Sequence, residues 1–160
     1  MRNAQIGRAR PGEIPGTMAL ALAEAKTAAA QGEVPVGAVL LDPTGIVVSA
    51  SGNRVERDRD PTAHAEMLVL RDGAARFGLK RLAGCDLYVT LEPCPMCAAA
   101  IALARIRRLY FGAYDPKGGG VEHGARVFDA ASCHHRPEVV GGVRETESVA
   151  LLQAFFTARR

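Results

Sequence analysis

The chain has 160 residues, 48% of them apolar and 23% charged, with a formal net charge of +3. That length suits one domain with an ordinary core, and the balance excludes a disordered or collagen-like chain. The mild basic excess permits an RNA partner without arguing for one, while five Phe, three Tyr and no Trp argue against an extended base-stacking surface.

Residues 1–14 read as a flexible leader, with Gly7, Pro11 and Gly12 and no periodicity, ahead of a single domain over 15–160. A helix is expected after Pro15, capped by Thr17 and running to about Gln31, where Gly32 ends it. Two β-rich runs, 34–41 and 46–50, flank Asp42-Pro43-Thr44-Gly45, which is the turn chemistry of a hairpin. The polar stretch 53–60 leads through Pro61 and Thr62 to a second helix over 63–76. Residues 87–91 read as a buried strand, and Pro93 and Pro95 bracket the start of a third helix over 96–105. A further strand follows at 108–113, then an irregular loop over 115–135 and a last strand at 138–143. Thr146 opens a final helix that sets Val149, Leu152, Phe155 and Phe156 on one face. This order predicts an α/β fold: a three-layer α/β/α sandwich around a mixed sheet of about five strands.

No apolar run reaches the roughly 18 residues of a membrane span. The arginines at 2, 8 and 10 are not followed by the apolar core of a signal peptide, so a cytoplasmic protein with no membrane partner is expected. Four cysteines, Cys85, Cys94, Cys97 and Cys133, are too few for a disulfide scaffold.

The chemistry concentrates in His64-Ala65-Glu66 and Pro93-Cys94-Pro95-Met96-Cys97. Cys94 and Cys97, three apart at a helix start, face one side, and the free N–H groups there favour thiolate over thiol. One imidazole and two thiolates make three zinc ligands, which leaves the fourth position open for water. Positions two apart on a regular helix diverge, so His64 and Glu66 share a pocket only if His64 sits at or before the first turn. Glu66 then acts as a base beside the metal rather than as a ligand. The alternative is a structural zinc site completed by His123, Cys133, His134 or His135; a redox Cys-x-x-Cys lacks any other thioredoxin-like feature. Cys85 reads as a small buried residue. Basic groups gather at Lys80-Arg81, Arg105-Ile106-Arg107-Arg108, Lys117 and Arg159-Arg160, each of which is solvated surface or a phosphate contact.

The pair H-x-E and P-C-x-x-C is the mark of the zinc nucleobase deaminases. Together with Val34-Pro35-Val36-Gly37-Ala38-Val39, Leu87-Tyr88-Val89-Thr90-Leu91-Glu92, Phe111-Gly112-Ala113 and the Leu151–Phe156 helix, it resembles the bacterial tRNA-specific adenosine deaminases over nearly the whole chain. The resemblance implies a cytidine-deaminase-like fold and one zinc per subunit. It further implies a homodimer that acts on a tRNA anticodon stem-loop, turning adenosine to inosine at the wobble position, 34, of an arginine tRNA. It assigns His64, Cys94 and Cys97 to the metal and Glu66 to proton transfer. Asn53 matches an amide that touches the flipped base, and Val34 and Ala65 match pocket positions. The likeness also draws Asp115 toward a cleft, while Phe156, Arg159 and Arg160 form the best group for a loop nucleotide and its phosphates. Gly52 departs from the Trp that many relatives carry there, and the loop over 117–135 is idiosyncratic. A deaminase of a free base or nucleoside, of guanine or cytidine type, is the competing enzyme; a structural-zinc RNA-binding module is the competing non-enzyme.

Overall fold

Ala38 and Leu40 of the first strand face one core and Val39 and Leu41 another, and all four are buried. Strands apolar on both faces need a helical layer on each side. The computed structural model, which describes residues 10–160, supplies both layers. The elements are α1 (Thr17–Ala30), β1 (Gly37–Leu41), β2 (Val47–Gly52), α2 (Val55–Asp58), α3 (Ala65–Phe77), β3 (Asp86–Leu91), α4 (Pro95–Leu103), β4 (Arg108–Ala113), β5 (Glu138–Val140) and α5 (Glu145–Thr157). A 3-10 turn at Val127–Asp129 interrupts the long loop.

The five strands lie in the order β2-β1-β3-β4-β5. The β1 strand is antiparallel to β2 and β3, whereas β3, β4 and β5 run parallel. One core joins Leu40, Leu87, Val89, Leu109 and Phe111 to Val69 and Leu70 of α3 and Ala98 and Ile101 of α4. The other joins Val39, Leu41, Tyr88 and Tyr110 to Met18, Ala21 and Leu22 of α1, with Leu151 of α5 packed against it. This is the expected three-layer sandwich on a mixed sheet. Tyr88 and Tyr110, partners in the parallel ladder, stack with ring centroids 4.3 Å apart. Gly37 lets β1 pass under α1, since a Cβ there would overlap the Ala21 carbonyl. The hairpin turn is fixed by Asp42, whose Oδ1 accepts the N–H of Thr44 at 2.8 Å and of Ile46 at 3.0 Å.

Several expectations change. The first strand begins at Gly37 rather than 34, and the last ends at Val140 rather than 143. The polar stretch after β2 contains a short helix, α2, that its composition does not announce. Residues 1–9 of the expected leader lie outside the described residues. Residues 10–14 are tied down: Arg10 donates to the carbonyls of Gly141 and Gly142, and Ile14 N–H donates to Tyr88 Oη at 2.7 Å. On α5 the buried face carries Ser148 and Phe155, with Val149, Leu151 and Leu152 half-buried. Phe156 does not share that face; it is 50% exposed. Neighbouring residues sit about 100° apart on a helix, so only one of two adjacent Phe can point at the sheet. No helix among the described residues is long and apolar enough to cross a membrane.

Candidate active site

Parallel strands β3 and β4 end side by side, and the segments leaving them open a cleft of about 810 Å³. His64 is the N-cap of α3, with extended backbone (φ −71°, ψ 149°), and Cys94 is the N-cap of α4 (φ −68°, ψ 170°). Leaving the helix at His64 removes the divergence between positions two apart, as the spacing argument required. Cys94 stands outside α4 as well, so it meets Cys97 through the cap geometry rather than through helical periodicity. His64 Nδ1 lies 3.6 Å from Cys94 Sγ and 3.5 Å from Cys97 Sγ. Bond lengths of about 2.0 Å to nitrogen and 2.3 Å to sulfur at a tetrahedral ion set these atoms roughly 3.6 Å apart. The donor set fits zinc.

Its electrostatics ask for a cation too. The Cys94 thiol is pushed down to about 4, chiefly by its hydrogen bond to Cys97 and also by His64. Cys97 is pushed upward by Cys94, by burial and by Glu66, whose Oε2 is 3.5 Å away. His64 is raised by its Cys94 hydrogen bond. Two thiols and a buried carboxyl therefore converge on one imidazole, and all can ionise together only around added positive charge. Burial pushes the Glu66 carboxyl up. Among the described residues this is the only group of three or more metal-type ligands. Three of the four alternative ligands for a closed structural site are engaged elsewhere, His123 with Glu92, Cys133 Sγ with the His135 carbonyl and His135 Nε2 with the Ile106 carbonyl, and the exposed His134 stands outside the ligand group.

Of the other expected site residues, Val34, Asn53, Asp115 and Arg159 line the cleft. Asn53 Oδ1 accepts the Ala65 N–H at 2.9 Å, which leaves its amide N–H groups for another partner. Ala65 itself is fully buried and contributes that N–H rather than a cleft surface. Asp115 both caps its own turn, accepting from Gly118 N–H at 2.9 Å, and faces the cleft. Phe156 and Arg160 are not among the lining residues; Phe155 takes that place, with the Arg159 guanidinium 3.4 Å over its ring centroid. The basic run at 105–108 stands elsewhere: Arg107 pairs with Asp86 at 2.8 Å and Arg108 with Glu138 at 3.1 Å. Cys85 is buried, as expected.

Two buried carboxylates on the cleft escaped the sequence reading. Glu33 accepts the N–H groups of Glu56 at 3.2 Å and Arg57 at 2.8 Å, and so holds α2. Glu92 accepts N–H groups of Asp115, Val121, Glu122 and His123 and the His123 ring. Burial raises its carboxyl, but the donors from Asp115, His123 and Glu122 outweigh that and hold it below the usual 4.5. The available signal was an acid beside an apolar residue at the approach to or end of a strand, in Glu33-Val34 and Leu91-Glu92.

Residues 14–113 match the family model of the cytidine and deoxycytidylate deaminase zinc-binding region. The tRNA-specific adenosine deaminase of Agrobacterium fabrum is 56% identical over 144 residues, 89% of this chain and 93% of that one. A solved structure described as "Biochemical and Structural Studies of A-to-I Editing by tRNA:A34 Deaminases at the Wobble Position of Transfer RNA" superposes with a TM-score of 0.83 at 56% identity, covering 85% of this chain and 98% of the other. A guanine deaminase from Bacillus subtilis superposes with a TM-score of 0.63 at 27% identity, covering 91% and 94%.

Proposed function

The chain belongs to the tRNA-specific adenosine deaminases, within the zinc-dependent cytidine and deoxycytidylate deaminase family, and from that premise we propose that it converts adenosine to inosine at position 34 of a tRNA. The observation that carries this reading is a buried Glu66 set beside a three-donor metal site at the foot of an open cleft. His64, Cys94 and Cys97 hold the zinc. Bound there, zinc supplies a water acidified to near neutrality and an electrophile for the oxygen that replaces the amine. Glu66 takes one proton from the attacking water and hands it to adenine N1 as the oxygen bonds to C6, then carries the second proton from the new C6 hydroxyl to the amine, whose C–N bond breaks to release ammonia. Burial raises its carboxyl above the ordinary carboxylate range, the direction that favours its holding a proton between transfers. Asn53, its oxygen committed to Ala65, offers its amide N–H groups to an acceptor on the base. Val34 and Leu91 give the cleft apolar wall, and Arg159 places a cation at it.

The RNA is an anticodon stem-loop, of an arginine tRNA by family likeness, and the cytoplasm is where such a substrate is met. A second copy of the chain is the partner expected on the outer face of α3 and α4. There Met67, Leu70, Ala100 and Leu103 make an apolar hollow rimmed by Arg71, Lys80, Arg81 and Arg105. The likeness to a guanine deaminase keeps a free-base substrate as the competing reading. Zinc-loaded protein incubated with an arginine-tRNA anticodon stem-loop should yield inosine, with affinity falling steeply as salt rises. Turnover of guanine or cytidine without turnover of the stem-loop would overturn the assignment.

A further inference from the structure

Glu92 has no step in that chemistry, yet its side chain is fully buried against the cleft. Its Oε1 accepts the N–H groups of Val121, Glu122 and His123 at 3.3, 2.8 and 2.9 Å. Its Oε2 accepts the Asp115 N–H at 2.9 Å and meets His123 Nδ1 at 2.9 Å. All five partners lie within residues 115–123, a segment with no helix or strand of its own. The same segment is seated on the start of α4: Gly120 N–H donates to the Pro93 carbonyl at 2.8 Å. The seat is close, since a Cβ on Gly120 would stand 2.6 Å from Pro95 N, and one on Gly119 2.6 Å from Glu92 Oε1. Asp115 and Gly118 of this strap form part of the cleft wall beside Cys94.

A strap without regular structure leaves its N–H groups in need of acceptors, and a buried carboxylate is the one side chain that can take so many at once. We propose that Glu92 is a positioning residue for the reaction: through five hydrogen bonds it fixes residues 115–123 as a preset wall against which the RNA substrate is held. Glutamine of the same size cannot replace it, because the Asp115 side of the clasp would then face a donor with a donor. The role rests on the function proposed above, and it concerns substrate holding rather than the metal.

The test compares holoenzyme of wild type, Glu92→Gln, Glu92→Asp and His123→Ala in three measurements. These are steady-state kinetics on the anticodon stem-loop, zinc content, and limited trypsin digestion at Lys117 and Arg126. Glu92→Gln should raise KM about tenfold or more, the scale of one or two charge-assisted hydrogen bonds. Its kcat should stay within about threefold of wild type, since no interaction unique to the transition state is removed. Zinc should remain at one per chain, and cleavage after Lys117 and Arg126 should quicken. Glu92→Asp, which keeps the carboxylate, should recover part of the KM, and His123→Ala should move it less than Glu92→Gln does. An unchanged KM, a kcat that falls in step with zinc, or no recovery in Glu92→Asp would each remove the role while wild type remains active. A wild type that leaves the stem-loop unchanged instead removes the functional reading, and this role with it.

Discussion

The two sides of the cleft are built by opposite means. On one side, Glu66 and Cys97 ride on the first turns of α3 and α4 while His64 and Cys94 are their N-caps, and both helices are locked to the sheet by Val69, Ala98 and Ile101. Within each pair, His64 with Glu66 and Cys94 with Cys97, short spacing at a helix start fixes the geometry, and packing of both helices on the sheet brings the pairs together. On the other side, the strap over residues 115–123 takes its shape from one carboxylate and from glycines pressed against Pro95 and Glu92. Helix-borne groups are positioned by covalent geometry, whereas the strap is positioned by a tether. The first side should fail in chemistry when altered, and the second in stability and substrate holding.

The largest break in that comparison is expected at Glu66. Glu66→Gln should lower kcat by about 10²–10⁴-fold, the usual worth of a positioned acid–base group, while zinc content measured by atomic absorption stays at one per chain. Zinc lost in proportion to activity would move Glu66 from proton transfer to metal holding. A smaller effect of another kind is expected on the strap. Gly120→Ala should cost about 1–3 kcal/mol, because its methyl meets backbone rather than a yielding side chain. Chemical denaturation would measure it, and an unchanged midpoint would show that the strap is not seated on α4. The smallest effect is in pH. The Glu92 carboxyl is held below its usual 4.5 in the folded chain, so the stability it adds is complete above that pH and is lost as pH falls through the depressed folded value. The melting-temperature gap between wild type and Glu92→Gln should therefore be widest above about pH 4.5 and close on further acidification. A gap that widens below pH 4.5 would reverse the sign.

The same contrast explains what the sequence disclosed. His64, Glu66, Cys94 and Cys97 were legible because ligand type and short spacing sit on helix starts marked by Pro61, Pro93 and Pro95. The strands were legible from apolar runs, and the three layers followed from their being apolar on both faces. Glu33 and Glu92 were not, because their partners are backbone N–H groups 23 to 31 residues away, which every residue but proline carries and no pattern reveals. The face of Phe155 and Phe156 is not legible because the four apolar residues Val149-Ala150-Leu151-Leu152 blur the helical phase; the packing of α5 on the sheet decides between them. Asp115 faces the cleft, the place the likeness implied, and also caps its own turn.

The sheet ends differently at its two borders. The β5 border is three residues long and begins directly after Pro137, so little ladder is free to accept a stranger. The β2 border is six residues long, and the run from Ile46 to Gly52 carries no charge, with Ile46 64% and Val47 45% exposed. Charged residues and proline are what ordinarily keep an open border from recruiting a further strand. The β2 border is therefore the edge at which the sheet is open to a further strand, and a lysine placed at the exposed Ala50 is the change that would guard it.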